Sequence, residues 1–386
     1  MKRLRIGIIY GGRSSEHAVS LASAASIFAN LDRTRYEPVP IRIGQDGRWF
    51  LAEQPPTLES PADVIASASV DRLARRAREL YLTAHPGDET MLTIERHVSD
   101  SGPDDMNQAI VNTLILDVIF PIVHGPYGED GTLQGLLELA NIPYVGAGVL
   151  SSAVGMDKAV MKVMFAANGL PIVTHEIVRR TDWRTDRSRI SSELTKRLRF
   201  PLFVKPSNLG SSVGVSRATN QDSLSSAIDL AAEYDRKIVV EEGVVPCREI
   251  ECAVLGNDDP KSSVPGEVIP SGDFYDYEAK YLHNRSKTVV PAPLTPQQSN
   301  EIRRLAISAF RAIDGASMAR VDFLLKEETG HIFVNEINTH PGFTAISMYA
   351  KLWEATGLSY PNLVDRLVTL AIDRHSEKQE SRTSIV

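Results

Sequence analysis

The sequence predicts an α/β protein built from two or three modules. Its 386 residues are too many for one hydrophobic core. Up to Val149, strand and helix patterns alternate, which predicts a mainly parallel, doubly wound sheet. From Val239 onward, strand patterns dominate until one amphipathic helix, so a second kind of module follows the first.

The first module begins with a buried strand and a helix. Arg5–Tyr10 is apolar and ends at a glycine turn, and Glu16–Leu31 is rich in Ala, Ser, Leu and Val, which predicts a helix. The next predicted elements are a strand with two prolines, a peripheral insertion, a buried strand and a helix: Tyr36–Ile43, residues 53–107, Leu114–Val123 and Leu133–Ala140. Within the insertion, the basic stretch Arg72–Leu80 predicts a helix.

The pattern changes after Val149. We predict a helix over Met156–Ala167 that Gly169 closes, and two strands around a Gly/Ser loop within Pro201–Arg217. The remaining predicted elements are a long helix, a hairpin, two helices and a polar, frayed end: Gln297–Ile313, Met318–Asn338, Ile346–Ala355, Tyr360–Asp373 and Arg374–Val386.

Charge and cysteine content exclude several protein classes. A formal charge of −7 argues against a general nucleic-acid or acidic-lipid binder, which needs a basic face. Cys247 and Cys252 cannot make a disulfide framework and belong to no zinc-spaced cluster, which indicates a reducing compartment. No apolar run reaches the roughly 18 residues of a membrane span, and Leu4–Tyr10 is too short for a signal peptide. We therefore expect a cytoplasmic protein.

The densest chemical signal lies in the predicted hairpin. Side chains two apart in a strand share a face, so Arg320 and Asp322 point one way, as do Glu336 and Asn338. If Asp322 lies opposite Glu336, the same register places Arg320 opposite Asn338. Two carboxylates and an amide are hard oxygen ligands that suit Mg²⁺, and close carboxylates need a cation to stay ionised. A solvated strand face is the weaker alternative, because the second strand lies in apolar sequence.

Two further features suit phosphate. Phe203–Gly214 places glycines and serines between two strands, where backbone N–H groups can cradle phosphate, and Lys205 supplies charge. The loop lacks the Gly-Lys-Ser/Thr ending of a Walker A motif, and an ordinary hairpin turn would use the same residues. Lys158 lies in the first turn of a helix, where the macrodipole opposes a cation, so phosphate binding explains it better than a surface role.

Three more segments are candidates for binding. Glu16 and His17 begin a helix just after a strand, where open α/β sheets bind ligands, although an acidic residue there also matches the helix dipole. His124–Gly131 is a glycine-rich crossover, which favours a binding loop or simple turns. Tyr275–Tyr281 mixes aromatic and charged residues, as a lid or an amphipathic strand would.

Taken together, these motifs resemble the D-alanine–D-alanine ligases of the ATP-grasp superfamily over nearly the whole chain. The motifs that carry the resemblance are Gly11–Ser20, His124–Gly131, Met156–Lys158, Lys205–Ser207, Gly210–Gly214, Tyr275–Tyr281, Arg320–Asp322 and Asn335–Thr344. The resemblance implies an ATP-grasp fold of three α/β domains: an N-terminal Rossmann-like domain over 1–147, with the insertion near 53–107, a central domain over 148–244 and a C-terminal domain over 245–386. It also implies a cytoplasmic homodimer that serves peptidoglycan precursor synthesis.

The resemblance further implies a reaction and residue roles. ATP phosphorylates the carboxylate of the first D-alanine, and the amine of the second attacks the acyl phosphate. Asp322, Glu336 and Asn338 would hold two Mg²⁺ or Mn²⁺ ions, while Arg320 and the Gly342 N–H stabilise the oxyanion. D-alanine would be bound by Glu16, His124, Ser347 and Met348, and hydrogen bonds would link Glu16 to Ser211 and Tyr281. Phosphate would be bound by Lys158, Lys205, Ser211, Ser212 and Lys280. Adenosine would be bound by Glu241, Glu242, Val244, Glu249 and Phe274.

Three positions depart from the family pattern. His340 replaces a usual apolar residue, Ala350 stands where proline is frequent, and Gly243 replaces an often bulky residue of the adenine segment. None of the three removes a catalytic group, but Gly243 is expected to loosen the packing of the adenine.

Three other functions are alternatives to a D-alanine–D-alanine ligase. A Rossmann dehydrogenase is rejected because Gly7, Gly11 and Gly12 do not form Gly-x-Gly-x-x-Gly. A binding module without catalysis would need neither paired metal carboxylates nor phosphate-facing lysines. A sister ligase that joins D-alanine to D-lactate or D-serine stays open, and Tyr281 argues against it because depsipeptide-forming members lose this tyrosine from the lid.

Overall fold

The computed structural model of the protein describes residues 2–58, 60–67, 78–83, 91–97, 108–269, 287–344 and 346–382. Its strands are β1 (Leu4–Gly11), β2 (Tyr36–Ile43), β3 (Trp49–Leu51), β4 (Arg78–Leu82), β5 (Met91–His97), β6 (Gln108–Leu114), β7 (Val118–Pro121), β8 (His175–Arg179), β9 (Leu202–Pro206), β10 (Ser216–Ala218), β11 (Lys237–Glu242), β12 (Cys247–Gly256), β13 (Lys261–Ser262), β14 (Gly266–Ile269), β15 (Lys287–Val289), β16 (Ser317–Lys326) and β17 (Ile332–Asn338). Its helices are α1 (His17–Asn30), α2 (Pro61–Ala66), α3 (Thr132–Leu139), α4 (Val149–Met156), α5 (Lys158–Ala167), α6 (Arg180–Thr185), α7 (Arg187–Arg197), α8 (Gln221–Tyr234), α9 (Pro296–Ala312), α10 (Met348–Ala355) and α11 (Tyr360–Gln379).

The chain divides into two compact units. The first contains Met1–Val149, Gly342–Ala350 and Leu358–Val386, and the second contains Leu150–Pro341 and Lys351–Gly357. The division into three domains stays a prediction. The predicted lid segment Tyr275–Tyr281 lies outside the described residues.

The first unit contains a seven-stranded sheet of mixed direction. Its order is β6-β5-β4-β3-β2-β1-β7, and β1 runs parallel to both β2 and β7. The pairs from β2 to β6 are antiparallel, so the prediction of a mainly parallel sheet is wrong. The physical reason is that antiparallel neighbours need no crossover helix, and α2 is the one short helix described between β2 and β6.

The segment around residues 53–107 also differs from its prediction. The described part of the predicted basic helix, Arg78–Leu80, lies in strand β4. In β4, Leu80 is buried while Arg78 and Tyr81 are exposed, and Leu80 joins the sheet's core with Met91 and Leu114. These strands therefore extend the sheet instead of lying outside it, because their buried residues complete its apolar layer.

Strand β2 forms as predicted in spite of its two prolines. All eight of its residues pair with β1, whereas its other side pairs with β3 only at Ile41–Ile43. Pro38 and Pro40 precede that part, so no hydrogen bond to β3 is required of them. The predicted strand Leu114–Val123 is two elements, since Leu114 ends β6 and β7 begins at Val118.

The last helix extends beyond its predicted end. It runs on from Asp373 to Gln379, so the prediction of a frayed end from residue 374 is wrong for this part. The Arg374 guanidinium donates to the carbonyl oxygens of Gly146 and Tyr144 at 2.5 and 3.0 Å and lies 4.6 Å from the Tyr144 ring centroid. These contacts hold the helix end within the first unit.

We expect Arg374→Ala to lower the free energy of unfolding by about 1–3 kcal/mol, because two carbonyl groups lose their donor. The measurement is the midpoint of thermal or urea unfolding. Arg366→Ala on the exposed side of the same helix is the control and should change stability by less than about 0.5 kcal/mol. Equal midpoints for the two variants would show that the Arg374 contacts do not stabilise the fold.

The second unit contains two further sheets, both antiparallel along their described strands. The four-stranded sheet has the order β10-β9-β11-β8, and its core is closed by α7 and α8 residues such as Leu194 and Ile228. The six-stranded sheet has the order β15-β14-β12-β16-β17, with β13 on β12. Helices α5 and α9 cover one of its faces through Phe165 and Phe310, which leaves the polar side chains of β16 and β17 on the other.

The two cysteines are buried or half-buried free thiols. Burial raises the pKa of Cys247 to about 11 and that of Cys252 to about 12. The thiolate form is therefore rare at neutral pH, and the interpretation of both residues as ordinary thiols holds.

Candidate active site

The hairpin of β16 and β17 has the predicted register. Asp322 pairs with Glu336 and Arg320 pairs with Asn338. The alternation that sets this register is visible in β16, where Val321 is buried on the face opposite to the polar one. The structure thus brings together the residues that the sequence predicted as a metal site.

A β-bulge follows this polar pairing. Asp322 pairs with Glu336 but Phe323 pairs with Val334, so Asn335 is an extra residue on β17. The amide Oδ1 of Asn335 accepts a hydrogen bond from the Lys205 ammonium at 3.4 Å. The bulge therefore connects the hairpin to the predicted phosphate-binding lysine.

Glu251 is a third carboxylate that the sequence reasoning missed. It lies on β12 directly opposite Asp322, so Glu251, Asp322 and Glu336 form a row across three strands. The available signal was the alternation of Glu249 and Glu251 around the buried Ile250, but nothing local specified which strand would pair with this one.

Arg320 neutralises much of this row. Its guanidinium donates to both oxygens of Asp322, each at 2.7 Å, and lies 3.2 Å from the Glu251 carboxylate. Burial alone would lower the pKa of Arg320, but Asp322 and Glu251 raise it well above its ordinary value. Arg320 is therefore a fixed, permanently charged fork beside the carboxylates.

The predicted metal ligands suit a hard divalent cation. Asp322 and Glu336 face each other, and the Asn338 Oδ1 is oriented by a 2.8 Å hydrogen bond from the His340 backbone N–H. The described residues contain no group of three or more His, Cys, Asp or Glu side chains arranged for a metal ion. The predicted set has only two side chains of these types, Asp322 and Glu336, because its third member is Asn338. An all-oxygen set this small fits Mg²⁺, which takes its other ligands from water and phosphate.

Lys158 contacts both the hairpin and the Gly/Ser loop. Its ammonium lies 3.5 Å from the Glu336 carboxylate and donates to the Leu209 carbonyl at 2.7 Å. Asp157 caps the helix that Lys158 begins, accepts from the Ser207 hydroxyl at 2.7 Å and pairs with Lys237. These bonds fix the position of a cation that the helix dipole opposes.

The Gly/Ser loop has an unusual backbone. Ser211 and Ser212 have positive φ angles of 51° and 58°, a backbone region that residues other than glycine rarely adopt. Strain of this kind is typical of binding loops held by their surroundings. The predicted pair of strands around the loop is confirmed, since β9 and β10 pair antiparallel.

Lys205 belongs to a buried charged group. The Glu241 carboxylate lies between the ammonium groups of Lys205 and Lys162, the latter at 2.9 Å. Lys162 is only 1% exposed and was missed by sequence reasoning, although it follows Lys158 by one helical turn. Burial would raise the pKa of Glu241, but the two lysines lower it to about 2.

We expect this group to make stability dependent on pH. The pKa of Glu241 is about 2 in the folded state against an ordinary 4.5, so the carboxylate stabilises the fold above about pH 4.5 and the effect is lost towards pH 2. Glu241→Gln should lower the melting temperature at neutral pH and flatten its dependence on pH over that window. Glu233→Gln, an exposed carboxylate on α8, should keep the wild-type slope. Parallel curves for wild type and Glu241→Gln would contradict the assignment.

The other described residues predicted to bind adenosine lie at the end of β11, just after it, and on β12. The Glu242 carboxylate accepts from the Arg199 backbone N–H at 2.9 Å, Val244 is half-buried, and Glu249 pairs with Leu324 on β16. Phe274, Lys280 and Tyr281 lie outside the described residues, so their roles stay predictions.

The packing around position 243 explains why a glycine occurs there. A Cβ atom there would lie 2.9 Å from the Pro201 carbonyl oxygen and 2.9 Å from the Phe203 ring. Its backbone N–H also donates to the Pro201 carbonyl at 2.7 Å. A bulkier residue would therefore require this backbone to move.

In the first unit, the predicted motif that contains Glu16 meets the one that contains His124 at the ends of β1 and β7. The Ser14 hydroxyl donates to the His124 carbonyl at 2.7 Å and accepts from the Glu16 backbone N–H at 3.2 Å. A Cβ atom on Gly125, which has a φ of +73°, would lie 2.8 Å from the Glu16 carboxylate. Glycine is thus required where the second motif approaches Glu16. The predicted position of both motifs at strand ends is confirmed.

The His124 ring is enclosed. Its Nδ1 lies 3.1 Å from the Glu129 carboxylate and its Nε2 lies 3.3 Å from the Ser23 hydroxyl. Ser23 was missed by sequence reasoning, although it is a polar residue in the middle of the apolar helix α1. The hydroxyl also accepts a 3.2 Å hydrogen bond from the Phe343 backbone N–H.

Gly342, Thr344 and Ser347 lie close together in the first unit. The Ser347 hydroxyl accepts from the Thr344 backbone N–H at 3.0 Å, and a Cβ atom on Gly342 would lie 3.0 Å from the Ser347 oxygen. Met348 begins α10 and is buried. The predicted residues Gly342 and Ser347 are therefore neighbours in space as well as in sequence.

No helix in the described ranges is both long enough and apolar enough to cross a membrane.

The sequence matches two family models. One is described as the D-ala D-ala ligase N-terminus and matches residues 5–147, and the other as the D-ala D-ala ligase C-terminus and matches residues 164–369. Among curated proteins, the chain is similar to a D-alanine–D-alanine ligase from Heliobacterium modesticaldum, with 46% identity over 99% of this chain and 98% of the relative. A ligase of the same name from Ruminiclostridium cellulolyticum is 44% identical over 100% of this chain and 99% of the relative.

The chain is also similar to solved structures of ligases that use D-alanine. The chain is similar to the D-alanine–D-alanine ligase from Coxiella burnetii, with a TM-score of 0.80 and 38% identity over 98% of this chain and 97% of that one. It is also similar to a D-Ala:D-Ser ligase from Enterococcus faecalis, with a TM-score of 0.80 and 30% identity over 96% of this chain and 100% of that one.

Proposed function

Because the chain belongs to the D-alanine–D-alanine ligase family, we propose that it joins two D-alanine molecules into D-alanyl-D-alanine for peptidoglycan precursor synthesis. It is an ATP-dependent, ADP-forming ligase with an α/β ATP-grasp fold, and it uses ATP and a divalent metal. The observation that carries the proposal is the polar face of the hairpin. There Asp322 lies opposite Glu336 and Arg320 opposite Asn338, with the Lys158 ammonium 3.5 Å from Glu336.

The second unit supplies the groups for phosphoryl transfer. When bound by Asp322, Glu336 and Asn338, two Mg²⁺ or Mn²⁺ ions would neutralise charge on the ATP phosphates. Lys158 and Lys205 attract the same phosphates. A carboxylate oxygen of the first D-alanine attacks the γ-phosphorus of ATP, and ADP leaves.

Two features of the second unit support this assignment. Lys205 is held by Glu241, so we propose that Glu241 acts by positioning that lysine. Ser211 and Ser212 lie in the strained Gly/Ser loop, whose backbone N–H groups suit phosphate oxygens. Glu242, Val244 and Glu249, together with Phe274 and Lys280, complete the proposed ATP site.

The remaining proposed roles concern the two amino acids. The Glu16 carboxylate binds the ammonium of the first D-alanine, and Ser347 with Met348 binds the carboxylate of the second. The amine of the second D-alanine, once deprotonated, attacks the acyl carbon, and inorganic phosphate leaves. Arg320 and the Gly342 N–H stabilise the negative charge that develops on the carbonyl oxygen. By the family resemblance, Ser211 and Tyr281 would exclude water from the acyl phosphate.

The second substrate separates this proposal from its alternative. Similarity in fold does not decide it, since a D-Ala:D-Ser ligase has the same TM-score to this chain as a D-alanine–D-alanine ligase. Tyr281 favours D-alanine, because a neutral phenol places no positive charge near the incoming ammonium group. The curated relatives at 46% and 44% identity favour it as well.

We expect D-alanyl-D-alanine to be the main product when D-alanine, D-serine and D-lactate are supplied together with Mg²⁺ and ATP. The measurement is product analysis by mass spectrometry, with each product compared with the ADP formed. Tyr281→Phe should keep the dipeptide as the product, and Tyr281→Lys should shift it towards the D-lactate ester at low pH. A wild type that makes mainly the D-serine or D-lactate product would reverse the assignment.

We also propose that the protein works in the cytoplasm as a homodimer. The free thiols of Cys247 and Cys252 support a reducing compartment. The homodimer rests on the family resemblance alone.

A further inference from the structure

A chain of hydrogen bonds in the first unit connects two motifs that are distant in sequence. It begins at Glu129 in the glycine-rich loop, passes through His124 and Ser23, and ends at the backbone N–H of Phe343. Every member is enclosed, since Ser23 and Phe343 are 0% exposed and the His124 and Glu129 side chains are 4% and 12% exposed. Polar groups this far from water need their partners.

For a neutral His124 ring, the partners set the direction of each hydrogen bond. The Glu129 carboxylate can only accept, so the His124 Nδ1 carries the proton that faces it. In the neutral ring Nε2 is then an acceptor, and the Ser23 hydroxyl donates to it. This leaves the Ser23 oxygen free to accept from the Phe343 N–H. All three bonds run in one direction, an arrangement in which each bond strengthens the next.

Phe343 is held at both ends of its backbone. Its N–H donates to Ser23 at 3.2 Å, and its carbonyl accepts from the Tyr360 hydroxyl at 2.6 Å. The ring is packed edge-on against Phe120, with ring centroids 5.9 Å apart. Gly342 directly precedes this clamped residue, so the orientation of the Gly342 peptide depends on it.

We propose that Ser23 is a positioning residue that holds Gly342, and with it Ser347, in the catalytic orientation through the Phe343 N–H, and that His124 acts through Ser23. The inference rests on the proposed function, in which the Gly342 N–H stabilises the oxyanion and Ser347 binds the second D-alanine. It assigns His124 a different role from direct substrate binding, because both ring nitrogens already face protein groups.

The test compares Ser23→Ala with Ser26→Ala. Ser26 lies one turn further along α1, is also buried, and has a hydroxyl without a hydrogen-bond partner among the described residues. Both variants are assayed for kcat, for KM values of ATP and D-alanine, and for dipeptide formed per ADP. Hydrogen exchange of the Phe343 amide is measured in parallel, and melting temperatures show the range in which each variant is folded.

Ser23→Ala should lower kcat by about 10- to 100-fold, because a small misplacement of a catalytic donor is costly. The KM for ATP should stay within about twofold of wild type, since the proposed ATP residues lie in the second unit. General unfolding would not lower kcat while leaving the KM for ATP unchanged. The Phe343 amide should exchange faster, and less dipeptide should form per ADP. Ser26→Ala should match wild type in every respect.

Wild-type kcat in Ser23→Ala, or unchanged exchange of the Phe343 amide, would overturn the proposal. If Ser23→Ala does not fold, Ser23→Cys decides by the same criteria, because it keeps the volume and weakens the hydrogen bonds. If the wild type itself makes no dipeptide, the proposed function fails, and the exchange of the Phe343 amide alone then decides the role of Ser23.

Discussion

Glu336→Gln should turn over at least about 10³-fold more slowly than wild type while keeping its fold, which corresponds to about 4 kcal/mol of lost transition-state stabilisation. The substitution keeps the volume of the side chain and removes the charge that faces Asp322. In the proposed site this carboxylate would be one of the metal ligands. The Lys158 ammonium, 3.5 Å away, also loses its anionic partner.

The measurement is ADP release at saturating ATP, D-alanine and Mg²⁺. Glu328→Gln is a matched control, because it makes the same substitution in the turn of the same hairpin, where the side chain is 67% exposed. It should retain the wild-type rate. An active Glu336→Gln enzyme would remove Glu336 from the metal site, whatever the rate of the control.

Arg320→Lys should lower kcat by about 10²- to 10³-fold, the usual effect of removing one oxyanion donor. Lysine keeps the positive charge but cannot reproduce the two 2.7 Å hydrogen bonds to Asp322. The Asp322 carboxylate would lose its fixed orientation, and the oxyanion would lose a planar donor. The fall should therefore appear in kcat more than in the KM for ATP.

Arg304→Lys is the control for this substitution. Arg304 makes the same two-pronged contact with Glu301, at 2.9 and 2.6 Å, but on the surface of α9, where its side chain is 63% exposed. Exposed pairs of this kind contribute about 0–1 kcal/mol, so neither rate nor stability should change much. Equal rates for the two variants would exclude Arg320 from catalysis.

The register of the β16–β17 hairpin could be predicted from sequence because the residues that set it lie in two neighbouring strands joined by a short turn. Two polar residues alternate with buried ones in each strand, and a short turn joins the strands, so only one register puts both polar pairs face to face. The bulge after Asp322 could not be predicted in the same way. It depends on how the second strand accommodates an extra residue, and no residue type in β17 requires it.

The residues that were missed are those whose partners are distant in sequence. Ser23 bonds to Phe343 across 320 positions, and Glu251 meets Asp322 only because β12 pairs with β16. A polar residue at a buried position of a helix or strand needs a partner, but the local sequence does not specify which one. Lys162 is of the same kind, since its partner Glu241 lies on β11.

The predicted parallel sheet was wrong for a related reason. The first strand and helix indicate the parallel core of β2, β1 and β7 correctly. In the described strands from β3 to β6, Leu80, Met91 and Leu114 are buried, and Trp49, Leu51 and Leu82 pack partly buried against the same core. Their antiparallel pairing depends on contacts between strands that local periodicity does not specify.

The reaction itself can be followed with D-alanine labelled with ¹⁸O in its carboxylate. If the carboxylate attacks ATP and the resulting acyl phosphate is opened by the second amine, one labelled oxygen must pass from D-alanine to inorganic phosphate in each turnover. Wild-type protein with Mg²⁺ and ATP should therefore release one ADP, one D-alanyl-D-alanine and one phosphate carrying a single ¹⁸O atom. Unlabelled phosphate, or ADP without the dipeptide, would contradict the proposed function.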